Sequence, residues 1–140
     1  MGTLREIGLA AAAMLASIPA GATPTSPAGL WMSPHKSVVV ETGACGDKLC
    51  GRIVWANGEA QGDARDAGVE HLVGTVLLQD YRPTGDGRWK GTVFVPDMAH
   101  SFASEIDTVS PEVLRVKGCI LGGLLCKSQL WTRIASVPRD

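Results

Sequence analysis

The sequence predicts an all-β domain, an eight-stranded antiparallel up-and-down barrel, and three observations carry this prediction. Gly makes up 17 of the 140 residues, about 12% against a usual ~7%, which favours many turns over long helices. Apolar and polar residues alternate along short segments, as they do in strands with one buried face. Clusters of turn-forming residues separate those segments. Closure into a barrel removes exposed strand edges, although a two-sheet sandwich remains open as an alternative.

The N-terminal segment has the features of a secretory signal. An apolar run from Ile7 to Ile18 follows Arg5, and Ala20-Gly21-Ala22 supplies the small-x-small pattern of a cleavage site. We expect cleavage after Ala22, so that residues 1–22 are a signal peptide and residues 23–140 form one domain in the periplasm or outside the cell. The run is shorter than the ~20 apolar residues that span a bilayer. Glu6 offsets the charge of Arg5, which leaves a retained N-terminal anchor as the alternative.

Size and charge exclude several classes of function. A chain of 140 residues has room for one domain of ordinary size. Its 13 Lys and Arg residues are balanced by 14 Asp and Glu residues, and the formal net charge is −1. No basic field is present to attract phosphates, so we do not expect a nucleic-acid partner. No later segment is apolar enough to predict a membrane span in the mature chain.

Four cysteines constrain the hairpins, and all lie beyond the signal segment: Cys45, Cys50, Cys119 and Cys126. Neither spacing is the Cys-x-x-Cys of zinc knuckles or redox sites, and export to an oxidising compartment makes disulfides the default. We prefer the local pairs Cys45–Cys50 and Cys119–Cys126, because each flanks a turn. A long-range pairing between the two couples remains open.

The local pairing predicts which way two tryptophans point. If each cysteine faces its partner across a hairpin, Val40 faces Trp55 and Leu114 faces Trp131, because side chains alternate along strands. Each hairpin then has an apolar face that carries a tryptophan and a more polar face that carries a disulfide. We therefore expect Trp55 and Trp131 to point into the barrel.

The other strands follow from alternation and from turn signals such as Pro83-Thr84-Gly85-Asp86-Gly87 and Pro96-Asp97-Met98-Ala99. Helical periodicity is suggested only over Asp63 to Glu70. Besides the two strands of the Cys45–Cys50 hairpin, six strands are predicted: Gly29 to Met32, Gly74 to Arg82, Arg88 to Val95, Ser101 to Asp107, Glu112 to Gly118 and Lys127 to Ile134.

Two sets of residues resemble known families. Gly29-Leu30-Trp31 near the start and Trp131-Thr132-Arg133 near the end resemble the lipocalin arrangement, in which an arginine packs on the indole of the Gly-x-Trp motif. That contact is a cation–π interaction that seals the barrel. The resemblance assigns structural roles to Gly29, Trp31 and Arg133.

A closer resemblance extends from Gly29 to Ile134. The segments Cys45 to Trp55, Gly85 to Trp89 and Leu114 to Cys119 are similar to the bacterial family catalogued as domain of unknown function 2147. This resemblance implies an exported, lipocalin-like barrel of uncharacterised biochemistry. Ala99 departs from the family, which usually has a glycine in this turn, and alanine disfavours the positive φ that such a turn uses.

Catalytic patterns are weak in this sequence. Ser33-Pro34-His35-Lys36 matches Ser-x-x-Lys, but that chemistry needs a helical turn between Ser and Lys, which Pro34 disfavours. We expect no catalytic residue, no metal ion and no cofactor, and we read the chain as a binding protein rather than an enzyme.

The leading functional hypothesis rests on aromatic side chains. An eight-stranded barrel either fills its interior with side chains or holds one small ligand, and indoles combine apolar area with an N–H donor. We expect a small hydrophobic or amphiphilic ligand in the barrel, with the loop from Asn57 to His71 as a lid. The predicted ligand-binding residues are Trp55, Trp131, Phe94 and Phe102.

A second hypothesis needs no cavity. The chain could be a rigid periplasmic protein-binding module, such as an inhibitor of an envelope enzyme, that acts through the polar loop or through Leu121 to Leu125. The identity of the ligand or partner and the oligomeric state are not encoded in any motif that we find.

Overall fold

The computed structural model describes residues 26–139, besides Gly2 and Gly8. The predicted signal segment, residues 1–22, therefore lies outside the described residues apart from those two glycines. The elements in chain order are β1 (Gly29–Met32), β2 (Val38–Cys45), β3 (Lys48–Ala56), α1 (Gly58–Asp66), β4 (Val76–Gly85), β5 (Arg88–Val95), β6 (His100–Ser110), β7 (Val113–Ile120) and β8 (Leu125–Ile134).

The eight strands form a closed antiparallel barrel in which each strand pairs with its neighbours in sequence and β1 pairs with β8. The predicted fold class is thus confirmed, and the sandwich alternative is excluded. Two strands, β1 and β5, have the predicted bounds, and most of the others extend further than alternation indicated.

The up-and-down order of the strands gives the barrel two distinct ends. We call one end the floor: the chain enters it at Gly29 and leaves it after Ile134. We call the other end the mouth. The floor also carries the three turns 46–47, 86–87 and 111–112, and the mouth carries the four connections 33–37, 57–75, 96–99 and 121–124.

The floor is sealed by an arginine that packs on a fully buried tryptophan. The Arg133 guanidinium carbon lies 4.3 Å from the centre of a Trp31 ring, which is cation–π geometry. Arg133 Nη1 donates to the carbonyl oxygen of Ala28 at 2.7 Å, and its Nε donates to that of Pro111 at 2.7 Å. Trp31 Nε1 donates to the carbonyl oxygen of Pro27 at 2.9 Å. One side chain of the last strand thereby holds the segment before β1 and the β6–β7 turn.

Gly29 is required at this seal. A Cβ atom at position 29 would lie 2.3 Å from Arg133 Nη1, and the backbone φ of Gly29 is +141°. Side-chain-bearing residues rarely adopt this conformation. The Gly-x-Trp pattern is therefore explained by the room that the guanidinium needs.

The β7–β8 hairpin has the predicted register. Leu114 lies opposite Trp131, and Cys119 lies opposite Cys126, with no irregularity along the pairing. A disulfide joins Cys119 and Cys126. The hairpin is a regular two-stranded ribbon that ends in a four-residue turn.

The β2–β3 hairpin contains the Cys45–Cys50 disulfide, but its predicted register is wrong. The turn has two residues, so Cys45 lies opposite Lys48, and the disulfide links diagonal positions rather than directly opposed ones. Val40 therefore lies opposite Ile53. A β-bulge follows between Val39 and Val40, which places Trp55 opposite Val39.

The helix α1 begins earlier than predicted. Asn57 caps it, with Oδ1 accepting a hydrogen bond from the backbone N–H of Ala60 at 2.8 Å. The apolar stripe of α1 is short, with Ala64 as its buried residue, which explains why periodicity alone misplaced the helix over Asp63 to Glu70. Among the described residues, no helix has the length and apolar character needed to cross a bilayer.

The β5–β6 turn forms despite the absence of glycine. Ala99 adopts a φ of +47°, in the left-handed region that alanine disfavours. The chain thus keeps a left-handed residue at this position and accepts its conformational cost.

The Gly29 contact gives a first prediction. We expect Gly29→Ala to lower the free energy of unfolding by about 2 kcal/mol or more, because it combines a strained φ with displacement of a hydrogen-bonded guanidinium. Gly43→Ala is the matched control, since Gly43 also lies near the floor and a Cβ there meets nothing within 4 Å. Urea unfolding followed by circular dichroism measures both. Equal effects of the two substitutions would contradict the proposed importance of the seal.

Candidate functional site

The barrel is filled with side chains above the floor. The side chains that meet there leave no cavity that admits a water molecule, and they are Trp31, Val40, Thr42, Leu78, Leu114, Val116 and Trp131. Gly91 illustrates the tightness of this packing, because a Cβ atom at that position would lie 2.7 Å from Tyr81 Cγ. This part of the barrel therefore has no room for a ligand.

Two buried hydroxyl groups of the barrel interior lack a hydrogen-bond partner within residues 26–139. Tyr81 and Ser104 are buried, and neither Tyr81 Oη nor Ser104 Oγ has a hydrogen-bond partner among the described residues. Burial raises the pKa of Tyr81 well above its usual range, and the nearby Ser104 hydroxyl acts in the opposite direction with a smaller effect. Tyr81 is consequently a neutral phenol at physiological pH.

One half of the mouth is covered by the segment that follows β3. Ala64 of α1 and Leu72 are buried in the same apolar cluster as the barrel interior, and Val69 packs against that cluster. The predicted lid, Asn57 to His71, therefore contributes a helix to the core.

The other half of the mouth is an exposed wall formed by β6, β7 and β8. Leu114, Val116 and Trp131 are buried, and alternation from them identifies the other inward residues of β7 and β8. Beyond the Leu114–Trp131 pair, the inward pairs toward the mouth are Val116 with Gln129, Gly118 with Lys127, and Ile120 with Leu125. On β6 the inward positions include Phe102, which pairs with the buried Val93. We call the following inward residues the mouth wall: Phe102, Ile120, Leu125, Lys127 and Gln129.

The mouth wall combines apolar and polar groups. Ile120 is 41% and Leu125 is 57% exposed, although both face the barrel axis. Phe102 is half-buried against the core, and the His100 ring meets it edge-on at 4.8 Å. At the base of the wall, Trp131 Nε1 donates to Gln129 Oε1 at 3.2 Å. Lys127 makes no ion pair with any residue in the described part of the chain.

The four predicted ligand-binding residues do not share one face. Trp131 points inward and is buried, and Phe102 points inward from β6. Phe94 pairs with Ser101 on the opposite face of β5 and β6 from Val93 and Phe102.

The predicted inward orientation of Trp55 is wrong. Trp55 lies opposite Val39, which neighbours the inward Val40 and so lies on the outer face. The cause is the β-bulge after Ile53, which shifts the alternation of β3 by one residue. Trp55 and Phe94 therefore lie away from the barrel axis, while Trp131 and Phe102 lie on the side of the mouth wall.

The sequence analysis did not identify Ile120 and Lys127 as candidate binding residues, and it assigned Leu125 to a protein-binding segment, Leu121 to Leu125, rather than to a ligand site. The signal was available, because steps of two from Trp131 along the last strand reach Lys127 and Leu125. It was missed because the cysteine positions indicate which residues of β7 and β8 lie opposite each other. They do not indicate that the inward face of this hairpin extends beyond the filled core toward the mouth.

A second concavity lies on the outer surface beside the Cys45–Cys50 disulfide. Its volume is about 300 Å³, and its lining includes Glu41, Arg52 and Val76. Arg52 donates from Nη1 to the carbonyl oxygen of Gly74 at 2.7 Å, and no ion pair joins it to Glu41. The groove is open to solvent and is lined by one acidic and one basic side chain. It therefore provides less apolar surface for contact with an apolar molecule than the mouth wall does.

The Ser-x-x-Lys pattern forms a turn. Ser33 Oγ accepts hydrogen bonds from the backbone N–H groups of Ser37 and Val38, each at 3.1 Å. Within residues 26–139, no group of three or more His, Cys, Asp or Glu side chains is placed to hold a metal ion.

Comparison with known proteins gives a family and a fold. A family model described as "Uncharacterized protein conserved in bacteria (DUF2147)" matches residues 29–133. Among solved structures, protein HP1028 from the human pathogen Helicobacter pylori, described as belonging to the lipocalin family, superposes with a TM-score of 0.62 and 14% identity over 79% of this chain and 84% of that one. At that identity the similarity establishes the fold alone. A search of curated proteins gives no significant match.

The buried phenol gives a second prediction. The chain has one tyrosine, so phenolate absorbance reports on Tyr81 alone. Because the raised pKa belongs to the folded state, stability is fully present below the ordinary tyrosine pKa of about 10 and falls as the pH rises above it. We expect phenolate to appear only together with loss of the circular dichroism signal.

Tyr81→Phe is the control for this titration. It should remove the contribution of this group to alkaline unfolding, and at neutral pH it should leave stability unchanged or slightly higher, since it deletes an unpartnered buried hydroxyl. Ionisation of Tyr81 near pH 10 in protein that stays folded would contradict the burial described above.

Proposed function

The chain belongs to the bacterial family DUF2147, and we propose that it is an exported lipocalin-like protein that binds a small amphiphilic molecule at the mouth of its barrel. The family description names no reaction, and the barrel fold is compatible with ligand binding. Both disulfides are consistent with an oxidising compartment, either the periplasm or the extracellular space.

The observation that carries this proposal is the contrast between the filled interior and the exposed mouth wall. Apolar side chains that face the axis of a closed barrel are normally buried. Ile120 and Leu125 face the axis but are 41% and 57% exposed, so contact with an apolar molecule would remove their surface from water.

The composition of the mouth wall indicates the class of molecule. Phe102, Ile120 and Leu125 would contact an alkyl or aromatic group, while Lys127 offers an ammonium group to an anionic head. The ligand would rest above Trp131 instead of entering the lumen. It would keep part of its surface in water, and we therefore expect modest affinity.

A protein partner is the second candidate, and one observation favours it. Leu121 and Leu124, at the tip of the β7–β8 ribbon, are 71% and 87% exposed, and the Cys119–Cys126 disulfide braces the turn between them. A rigid apolar tip of this kind suits insertion into a pocket on an envelope protein.

A fluorescent amphiphile tests the proposed function. We expect anilinonaphthalene sulfonate, an aromatic anion, to bind the native protein with enhanced emission. Leu125→Ser should weaken this binding about fivefold, which corresponds to ~1 kcal/mol of lost apolar contact. Leu130→Ser is the matched control, because Leu130 lies on the outer face of the same strand and is 53% exposed.

The two candidates make different predictions in this series. Equal weakening by Leu125→Ser and Leu130→Ser, or no binding of the probe to native protein, would refute the mouth as the binding site. If Leu124→Ser abolishes retention of an envelope protein that Leu125→Ser still retains, the tip is the functional surface and the second candidate replaces the first.

A further inference from the structure

Closure of the barrel leaves part of one strand edge unpaired. On the side away from β7, β8 pairs with β1 only through Thr132, Arg133 and Ile134. Residues 125–131 have a partner strand on the β7 side and none on the other side among the described residues. Residues 125–130 are all exposed. Natural proteins usually cover or interrupt such an edge, because it can pair with another chain.

The orientation of the backbone groups along this edge follows from one hydrogen bond. The N–H of Arg133 donates to the carbonyl oxygen of Glu112 on the β7 side at 2.9 Å. In an antiparallel ladder, alternate residues direct both N–H and C=O to the same neighbour, and the β7–β8 pairing is regular. Cys126, Ser128 and Leu130 therefore direct their backbone N–H and C=O groups to the free edge.

We propose that this edge pairs with the same edge of a second copy of the chain, antiparallel and across a two-fold axis at Ser128. In this arrangement Ser128 lies opposite the partner's Ser128, and Leu130 lies opposite the partner's Cys126. In each copy the backbone N–H and C=O groups of Cys126, Ser128 and Leu130 then have partners, and the two copies share about six backbone hydrogen bonds. Isologous pairing of this kind is the commonest form of homodimer.

Charge selects this register over its neighbours. Lys127 is the one charged residue between positions 125 and 131, and the proposed register sets it opposite the partner's Gln129. An axis at Lys127 would bring two ammonium groups face to face, which is unfavourable. An axis at Gln129 would require Thr132 as an edge residue, but Thr132 already pairs with Met32. A shift by one residue would oppose groups that point in different directions.

The outer face of the ribbon supports the same arrangement. Leu130 is 53% exposed, and in the proposed register its side chain lies beside the partner's Cys126 and the disulfide that this cysteine forms. Two ribbons, each braced by its own disulfide and free of bulges along β7–β8, would meet as one continuous sheet. The contact is small, and we expect a dimer that dissociates in the micromolar range.

Sedimentation velocity over a range of protein concentrations tests the pairing. The purified oxidised protein should pass from monomer to dimer as its concentration rises. Ser128→Lys should weaken dimerisation at least tenfold, because it places two ammonium groups at the two-fold axis. Ser101→Lys is the control, since Ser101 is exposed on β6, opposite Phe94 of β5, and lies outside the proposed edge. A protein that stays monomeric at every concentration, or a dimer that Ser128→Lys does not affect, overturns the proposal.

A cross-linking experiment tests the position of the axis. Mild oxidation of the Ser128→Cys protein should yield a covalent dimer in which peptide mapping links the two engineered thiols to each other, because directly opposed Cα atoms in a hydrogen-bonded pair lie about 5.5 Å apart. Ser101→Cys should give no such link. The proposed register is wrong if the symmetric link is absent in a protein that retains its native disulfides. It is also wrong if the free edge of β8 binds a different protein in place of a second copy.

The dimer and the proposed function can fail independently. Ser128→Lys should remove the dimer and leave anilinonaphthalene sulfonate binding within about twofold, because the Ser128 side chain points away from the barrel axis. Leu125→Ser should show the converse pattern.

Discussion

Closure of the barrel depends on the contact between Arg133 and Trp31. The pairing of β1 with β8 covers three residue pairs, which is short for the seam on which a closed sheet depends. The guanidinium adds a cation–π contact and donates hydrogen bonds to carbonyl groups on both sides of this seam. The Arg133 guanidinium occupies the space that a side chain at position 29 would need, which explains the glycine there. The side chain of Arg133 therefore reinforces the short backbone ladder between the first and last strands.

The same short seam explains why the two ends of the molecule differ. Buried side chains from all eight strands form one apolar cluster, and those above the floor pack without a cavity large enough for water. Toward the mouth, β1 has ended while β7 and β8 continue, so the ribbon rises above the filled core. One half of the mouth is covered by α1 and the segment that follows it, and the other half is left with apolar side chains that face the axis without being covered. The proposed ligand site and the free edge are both consequences of a first strand that is shorter than the last.

Local information predicted the fold and one hairpin, and it failed where the geometry depended on a turn or a bulge. The last hairpin was correct because a regular ribbon keeps strict alternation from Cys119 to Leu114. The first hairpin was not, since cysteines separated by four residues fit either direct or diagonal opposition, and the two-residue turn selects the diagonal. The bulge that turns Trp55 outward has no signature that we can identify in the sequence. For the candidate site, the inward orientation of Trp131 followed from alternation, whereas the exposure of Ile120 and Leu125 depends on where β1 ends, which is a property of the assembled barrel.

The disulfide at the base of the β7–β8 turn makes the register of the flanking strands independent of the sequence of the turn. Leu121, Gly122 and Gly123 all have positive φ, so the turn itself is conformationally costly, but the covalent link between Cys119 and Cys126 keeps its ends together whatever residues lie between. Substitutions within such a loop should therefore leave the register of the flanking strands undisturbed. Relatives that share this scaffold could acquire different recognition properties by exchanging four residues, and the same position is suited to the grafting of foreign peptides.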